Sequence, residues 1–142
     1  MKYSRRDLHL LVPAAFAAGT AGFAQTRVLP SKTFKYEDLP VKVNGQNRGR
    51  AILSGKTHTG CALEMHETEL GAGLAPHPPH HHVHEEMMLI REGDMEITIA
   101  GKVSKLGPGS VAYVASGEEH GWRNVGTTPA RYFVIALGNE KS

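Results

Sequence analysis

The chain has 142 residues, 40% of them hydrophobic, which suffices for one domain with one core and no disulfide support. Its single cysteine, Cys61, excludes an intrachain disulfide and, within Cys61-Ala62-Leu63, reads as a buried strand thiol. The formal net charge of +2 falls to near neutrality once residues 1–24, with three basic and one acidic side chain, are set aside, so nothing points to nucleic acid.

The N-terminus reads as a targeting segment. Lys2, Arg5 and Arg6 precede a mainly apolar run from Leu8 to Ala18, and Gly22-Phe23-Ala24 has the small residues of a cleavage site. This predicts an export signal over 1–24, removed before Gln25, and a periplasmic or secreted mature protein. The pair Arg5-Arg6 after Ser4 resembles a twin-arginine signal, with general secretory export as the alternative. Leu8 to Ala24 spans 17 residues and is interrupted by His9. A comfortable membrane span needs about 20 apolar residues, so no stable insertion is expected after cleavage.

From residue 25 to 50, Pro30, Pro40 and the Asn44-Gly45 turn pair punctuate short extended pieces, Thr33 to Tyr36 and Val41 to Val43. That pattern predicts an arm with one or two edge strands ahead of a main body over 51–142. Cys61 to Leu70 alternates in the manner of a strand, and Gly71 through Pro79 forces a loop. Five more strand-length segments follow: Met87 to Glu92, Met95 to Ala100, Val103 to Leu106, Val111 to Ala115 and Arg131 to Leu137. Glycine-bearing turns separate them and no long segment carries a helical period, which predicts an all-β antiparallel sandwich or small barrel.

The chemistry concentrates in His80-His81-His82-Val83-His84-Glu85-Glu86, with His120 alone 34 residues beyond Glu86. An internal run continuing into Met87-Met88-Leu89-Ile90 is no purification tag. On an extended backbone His80 and His82 project to one side, so their imidazoles can converge on a metal. Periodicity leaves open whether Glu86, His84 or Glu85 completes the set.

Two motifs in order carry a resemblance. Gly73, six residues, His80-His81-His82, three residues, Glu86, six residues and Gly93 form the first. Gly109, five residues, Ala115-Ser116-Gly117, two residues, His120, three residues and Asn124 form the second. Residues 73–124 thereby resemble the cupins, small jelly-roll barrels that bind a metal inside the barrel. The departures are Ala115 where the family has proline and a first spacer longer by one residue.

The resemblance implies a single antiparallel jelly-roll (double-stranded β-helix) barrel, with His80, His82, Glu86 and His120 as metal ligands. Gly93, Gly109, Gly117 and Asn124 become structural marks of the fold. One divalent transition metal ion is expected, with iron, manganese, zinc, nickel and copper all compatible with three nitrogens and one oxygen.

Cupins include dioxygenases, isomerases and decarboxylases as well as noncatalytic binders, so the expectation is a metal-dependent enzyme acting on a small organic molecule. The alternative is a module that captures a carbohydrate or small organic acid. Catalytic residues stay unassigned, with Glu64, His66 and His84 as candidates for a general base and His77 and His84 as donors at the mouth. His66 and Glu64 read first as strand surface, with a position facing the cavity as the alternative, His81 as a rim residue, and Tyr113, Trp122 and Met88 as core. The arm and exposed strand edges point to a homodimer.

Overall fold

The structure is a computed structural model and describes residues 28–138; the expected export signal lies outside them. Nine strands follow one short 3-10 turn, η1 (Tyr36–Asp38): β1 (Val41–Asn44), β2 (Asn47–Lys56), β3 (Ala62–Leu70), β4 (Glu85–Glu92), β5 (Met95–Ile99), β6 (Lys102–Leu106), β7 (Val111–Val114), β8 (His120–Asn124) and β9 (Ala130–Gly138). A six-stranded sheet has the order β1-β2-β3-β9-β4-β7, and a three-stranded sheet β6-β5-β8 packs against it. All pairings between these strands are antiparallel. The result is the jelly-roll barrel, and among the described residues there is no α-helix.

Strand parity decides what each strand buries. On β9, Ala130, Tyr132, Val134 and Ala136 face inward and are buried, as are Glu86, Met88 and Ile90 on β4 and Ala112 and Val114 on β7. Met95, Ile97 and Trp122 of the small sheet meet Leu70, Met88, Ile90 and Tyr132 in one apolar cluster. Each large apolar side chain removed from water contributes roughly 1.5–3 kcal/mol, so this interior holds the two sheets together.

Three local readings are corrected, and one strand that the sequence left unread is added. Thr33 to Tyr36 is not a strand: the N–H of Leu39 bonds Tyr36 O at 3.2 Å to close η1, and Leu39 leaves it extended, as a residue before proline must. Strand β2 escapes a periodicity reading because a bulge between Ala51 and Leu53 flips its parity midway. Cys61 is exposed because the turn from Thr57, whose Oγ1 accepts the Cys61 N–H at 3.0 Å, holds it ahead of Ala62, the first inward residue of β3. Tyr113 is 53% exposed, since its neighbours Ala112 and Val114 take the inward positions of β7.

The outer face of β3 carries two buried carboxylates that tie the segments before it to the barrel. Tyr36 Oη and Arg50 Nη1 both donate to Glu67, at 3.1 and 2.8 Å, while Arg48 and Arg131 both donate to Glu69 at 3.1 Å. Strand β2 therefore joins residues on both sides of position 50 into one sheet with β3.

Gly93, between β4 and β5, has φ +85°, and a Cβ there would lie 2.7 Å from Ala130 Cβ and 2.8 Å from its Cα. Gly109 has φ +83° with open space around it. Gly109→Ala should cost about 1–2 kcal/mol from backbone strain alone. Gly93→Ala should cost about 1–3 kcal/mol more from overpacking against the β9 backbone. Equilibrium denaturant melts of the two variants check the difference; equal costs would show that the approach of β9 is not restrictive.

Candidate metal centre

The loop after β3 reaches the small sheet through a backbone clamp. His80 and His120 exchange reciprocal N–H to O bonds of 2.9 and 2.8 Å, and Gly117 N–H donates to His82 O at 2.8 Å. Gly121 lets this approach happen, because a Cβ at that position would lie 3.1–3.3 Å from Pro79. Two segments remote in sequence are thus held together by main chain before any side chain takes part.

Asn124 fixes the far end of β8 and is fully buried. Its Nδ2 donates to the carbonyls of Leu70, Gly71 and Thr128 at 3.0, 3.2 and 2.7 Å, and its Oδ1 accepts Gly126 N–H at 2.9 Å. One amide replaces four backbone partners, which explains why an asparagine closes the second motif.

The rings of His82 and His120 are oriented by carbonyls. His82 Nδ1 lies 2.8 Å from His84 O, and His120 Nδ1 lies 2.9 Å from Glu118 O. A carbonyl only accepts, so both Nδ1 atoms carry a proton, and in the neutral form the rings present Nε2 lone pairs. Those Nε2 atoms converge on one oxygen, Glu86 Oε2, at 3.5 and 3.1 Å. With neutral rings these are three acceptors facing one another with no hydrogen among them, an arrangement that a cation resolves.

His80 adds a third ring. Its centroid is 5.2 Å from that of His82 and 4.8 Å from that of His120, and its buried Nδ1, like Nε2 of His82, has no hydrogen-bond partner among the described residues. Burial first, then neighbouring His77, His120 and His82, lowers the pKa of His80 and favours the neutral ring that ligation requires.

One donor atom from each of His80, His82 and His120 lies within 4.8 Å of the others, and His82, His84 and Glu86 form an overlapping group of the same size. Metal–ligand bonds of about 2.1 Å place donors roughly 3 Å apart when adjacent and about 4.2 Å when opposite, so small side-chain rotations close the cluster on an ion. The residues fit a transition metal.

The remaining histidines separate by position. His81 is exposed, as expected of a rim residue. His77 is also exposed, with its ring edge-on to His80 at 4.3 Å. His84 stacks on His82 at 3.5 Å and 10°, so it covers the ring whose Nδ1 its own carbonyl receives. Trp122 and Met88 are core as expected, with Trp122 Nε1 donating to Tyr132 Oη at 3.0 Å and its ring 5.5 Å from His120. They floor the site with apolar surface. Glu64 and His66 are half-buried rather than strand surface, at inward positions of β3.

What the motifs alone do not reveal is the support around the cluster: the carbonyls of His84 and Glu118, and the close approach of Pro79 to Gly121. Main-chain acceptors have no residue-type signature.

Comparison with known proteins agrees with the geometry. Residues 66–136 match the cupin domain family. No curated protein matches the chain. Among solved structures, an RmlC-like cupin from Shewanella frigidimarina superposes with a TM-score of 0.62 at 18% identity, covering 78% of this chain and 95% of that one. A protein described as a predicted oxalate decarboxylase from Thermotoga maritima gives 0.65 at 18% identity, covering 75% and 99%. A polyketide cyclase from Streptomyces resistomycificus gives 0.62 at 19% identity, covering 80% and 87%. These likenesses show a shared fold, and the family match together with the two motifs and the barrel makes the conclusion plain: the chain belongs to the cupin family.

Proposed function

We propose that this protein is an exported cupin in which His80, His82, Glu86 and His120 hold one divalent transition metal ion, and that it is an enzyme acting on a small organic molecule. The reaction classes in view are dioxygenation, isomerisation and decarboxylation. The observation that carries the reading is the convergence of the His82 and His120 Nε2 atoms on Glu86 Oε2, with both Nδ1 atoms already committed to carbonyls. Iron, manganese, zinc, nickel and copper all suit this donor set. Bound there, the ion would supply Lewis acidity and, for the redox-active metals, electron transfer.

The chain's own residues supply the rest. Glu118 O and His84 O hold the two rings in the tautomer that ligates, and His84 shields the outer face of His82. Trp122 and Met88 exclude water from below. Small-molecule chemistry is supported by neighbours of the same fold, among them the polyketide cyclase.

Elemental analysis tests the ligand set. The mature protein should carry about one equivalent of metal, His82→Ala and His120→Ala should lose most of it while remaining folded, and His84→Ala should retain it. Stoichiometric metal in both ligand variants contradicts the assignment. A screen for dioxygen uptake and substrate loss over small aromatic compounds, oxo acids and sugars then separates the enzyme from a binding module, which would show saturable binding without turnover.

The homodimer expected from the sequence finds a candidate face. Leu89, Val111 and Tyr113 are exposed on the outer side of the large sheet, and Met87, Phe133 and Ile135 lie beside them in register. We propose that a second copy covers this face, since burying such a patch is favourable. Leu89→Glu should halve the mass seen by sedimentation equilibrium; a monomeric wild type, or a variant that stays dimeric, contradicts the assignment.

A further inference from the structure

The inner face of the large sheet carries its titratable acid and imidazole groups toward one end. Two cross-strand rows make this visible. In one, Val114 of β7, Glu86 of β4, Ala136 of β9 and Glu64 of β3 are successive partners; in the next, Ala112, Met88, Val134 and His66 are. Glu64 and Glu86 therefore flank Ala136 on the same face, with their backbones two strand spacings, about 10 Å, apart. Ala136 between them carries only a methyl group.

Glu64 and His66 form a dyad. His66 Nδ1 lies 2.9 Å from Glu64 Oε1, and the two side chains are 34% and 24% exposed, so they are neither core nor free surface. An ionised carboxylate only accepts, hence Nδ1 carries the proton and Nε2 is left as the lone-pair atom, with no hydrogen bond of its own among the described residues. The hydrogen bond to His66 holds the Glu64 carboxyl below its ordinary range against the opposing effect of burial. A carboxylate that stays ionised and fixes the far nitrogen of an imidazole is the arrangement that presents a proton acceptor in one orientation.

We propose that His66, oriented by Glu64, is the general base of a proton-transfer reaction on a small carbonyl compound or hydroxy acid whose oxygen faces the His80, His82, Glu86 and His120 cluster. The inference rests on the metal-centred reading of that cluster and narrows its reaction class to isomerisation. In the step, His66 Nε2 takes a proton from the carbon beside the carbonyl, the C–H electron pair enters the enolate, and Nδ1–H stays with Glu64. Return of that proton to the former carbonyl carbon, while the hydroxyl proton on the first carbon passes to the former carbonyl oxygen, completes the isomerisation of an α-hydroxycarbonyl compound, leaves His66 neutral and needs no oxidant or reductant.

The test uses the metal-replete mature protein in D2O with pyruvate, 2-oxobutyrate, dihydroxyacetone and glyceraldehyde as probes, following exchange at the carbon beside the carbonyl by proton NMR. Wild type should exchange at least one probe, and His66→Gln should slow it by about 10²–10⁴-fold with metal content unchanged. Independently of turnover, ring nitrogen-15 NMR at alkaline pH should show His66 with its proton on Nδ1, and Glu64→Ala should mix the tautomers. Undiminished exchange in His66→Gln, a His66 proton on Nε2, or no exchange of any probe by fully metallated wild type would each overturn the dyad while leaving the metal site standing. Wild type without metal would overturn both readings, and elemental analysis identifies that case.

Discussion

The pair of backbone hydrogen bonds between His80 and His120 is the constraint on which the site depends. A ring can be aimed by its own rotamer only after its Cα is placed, and here two Cα atoms forty residues apart are placed against each other by main chain. Once that bridge forms, His82 falls on the same side as His80, its carbonyl accepts from Gly117, and β8 delivers His120 opposite β4, where Glu86 waits at an inward position. Backbone bonds of this kind are insensitive to the protonation of the imidazoles, so the scaffold persists whichever state the rings adopt.

The same division runs through the whole barrel. The apolar cluster around Met88, Ile97, Trp122 and Tyr132 fills the closed part of the interior, and polar residues gather at the end where Glu64, His66, Glu86 and the loop histidines lie. Burying a carboxylate or imidazole costs free energy unless something offsets it. On the outer face the offset is visible: Glu67 and Glu69 are buried under Tyr36, Arg48, Arg50 and Arg131. Inside, Glu86 Oε2 faces the Nε2 atoms of His82 and His120, and the proposed cation is what would balance its charge.

How much of this could be read from residues alone depends on whether parity survives. Strands β4, β7 and β9 alternate between more and less buried residues and are legible as strands, although Tyr113 of β7 reads as core and lies outside. Strand β2 is not, because the bulge at Ile52 changes its parity, and β8 is not, because five residues containing Gly121 and four buried positions show no alternation. The four candidate ligands were legible through motif spacing rather than periodicity, since His84 shares their parity. For His66 the sequence leaves strand surface and a cavity-facing position both open, because a strand's two faces look alike until its neighbours in the sheet are known.

The central claim is that one cation sits where His80, His82, Glu86 and His120 converge, with His84 outside the coordination sphere. A crystal of the mature protein measured at the absorption edge of its metal tests this most directly. The account predicts one anomalous peak with donor atoms of those four residues at about 2.0–2.3 Å and the His84 ring still stacked on His82. A peak coordinated by His77, His81 or His84 instead, or hydrogen-bonded water in place of a metal at the Nε2 atoms of His82 and His120, would contradict it.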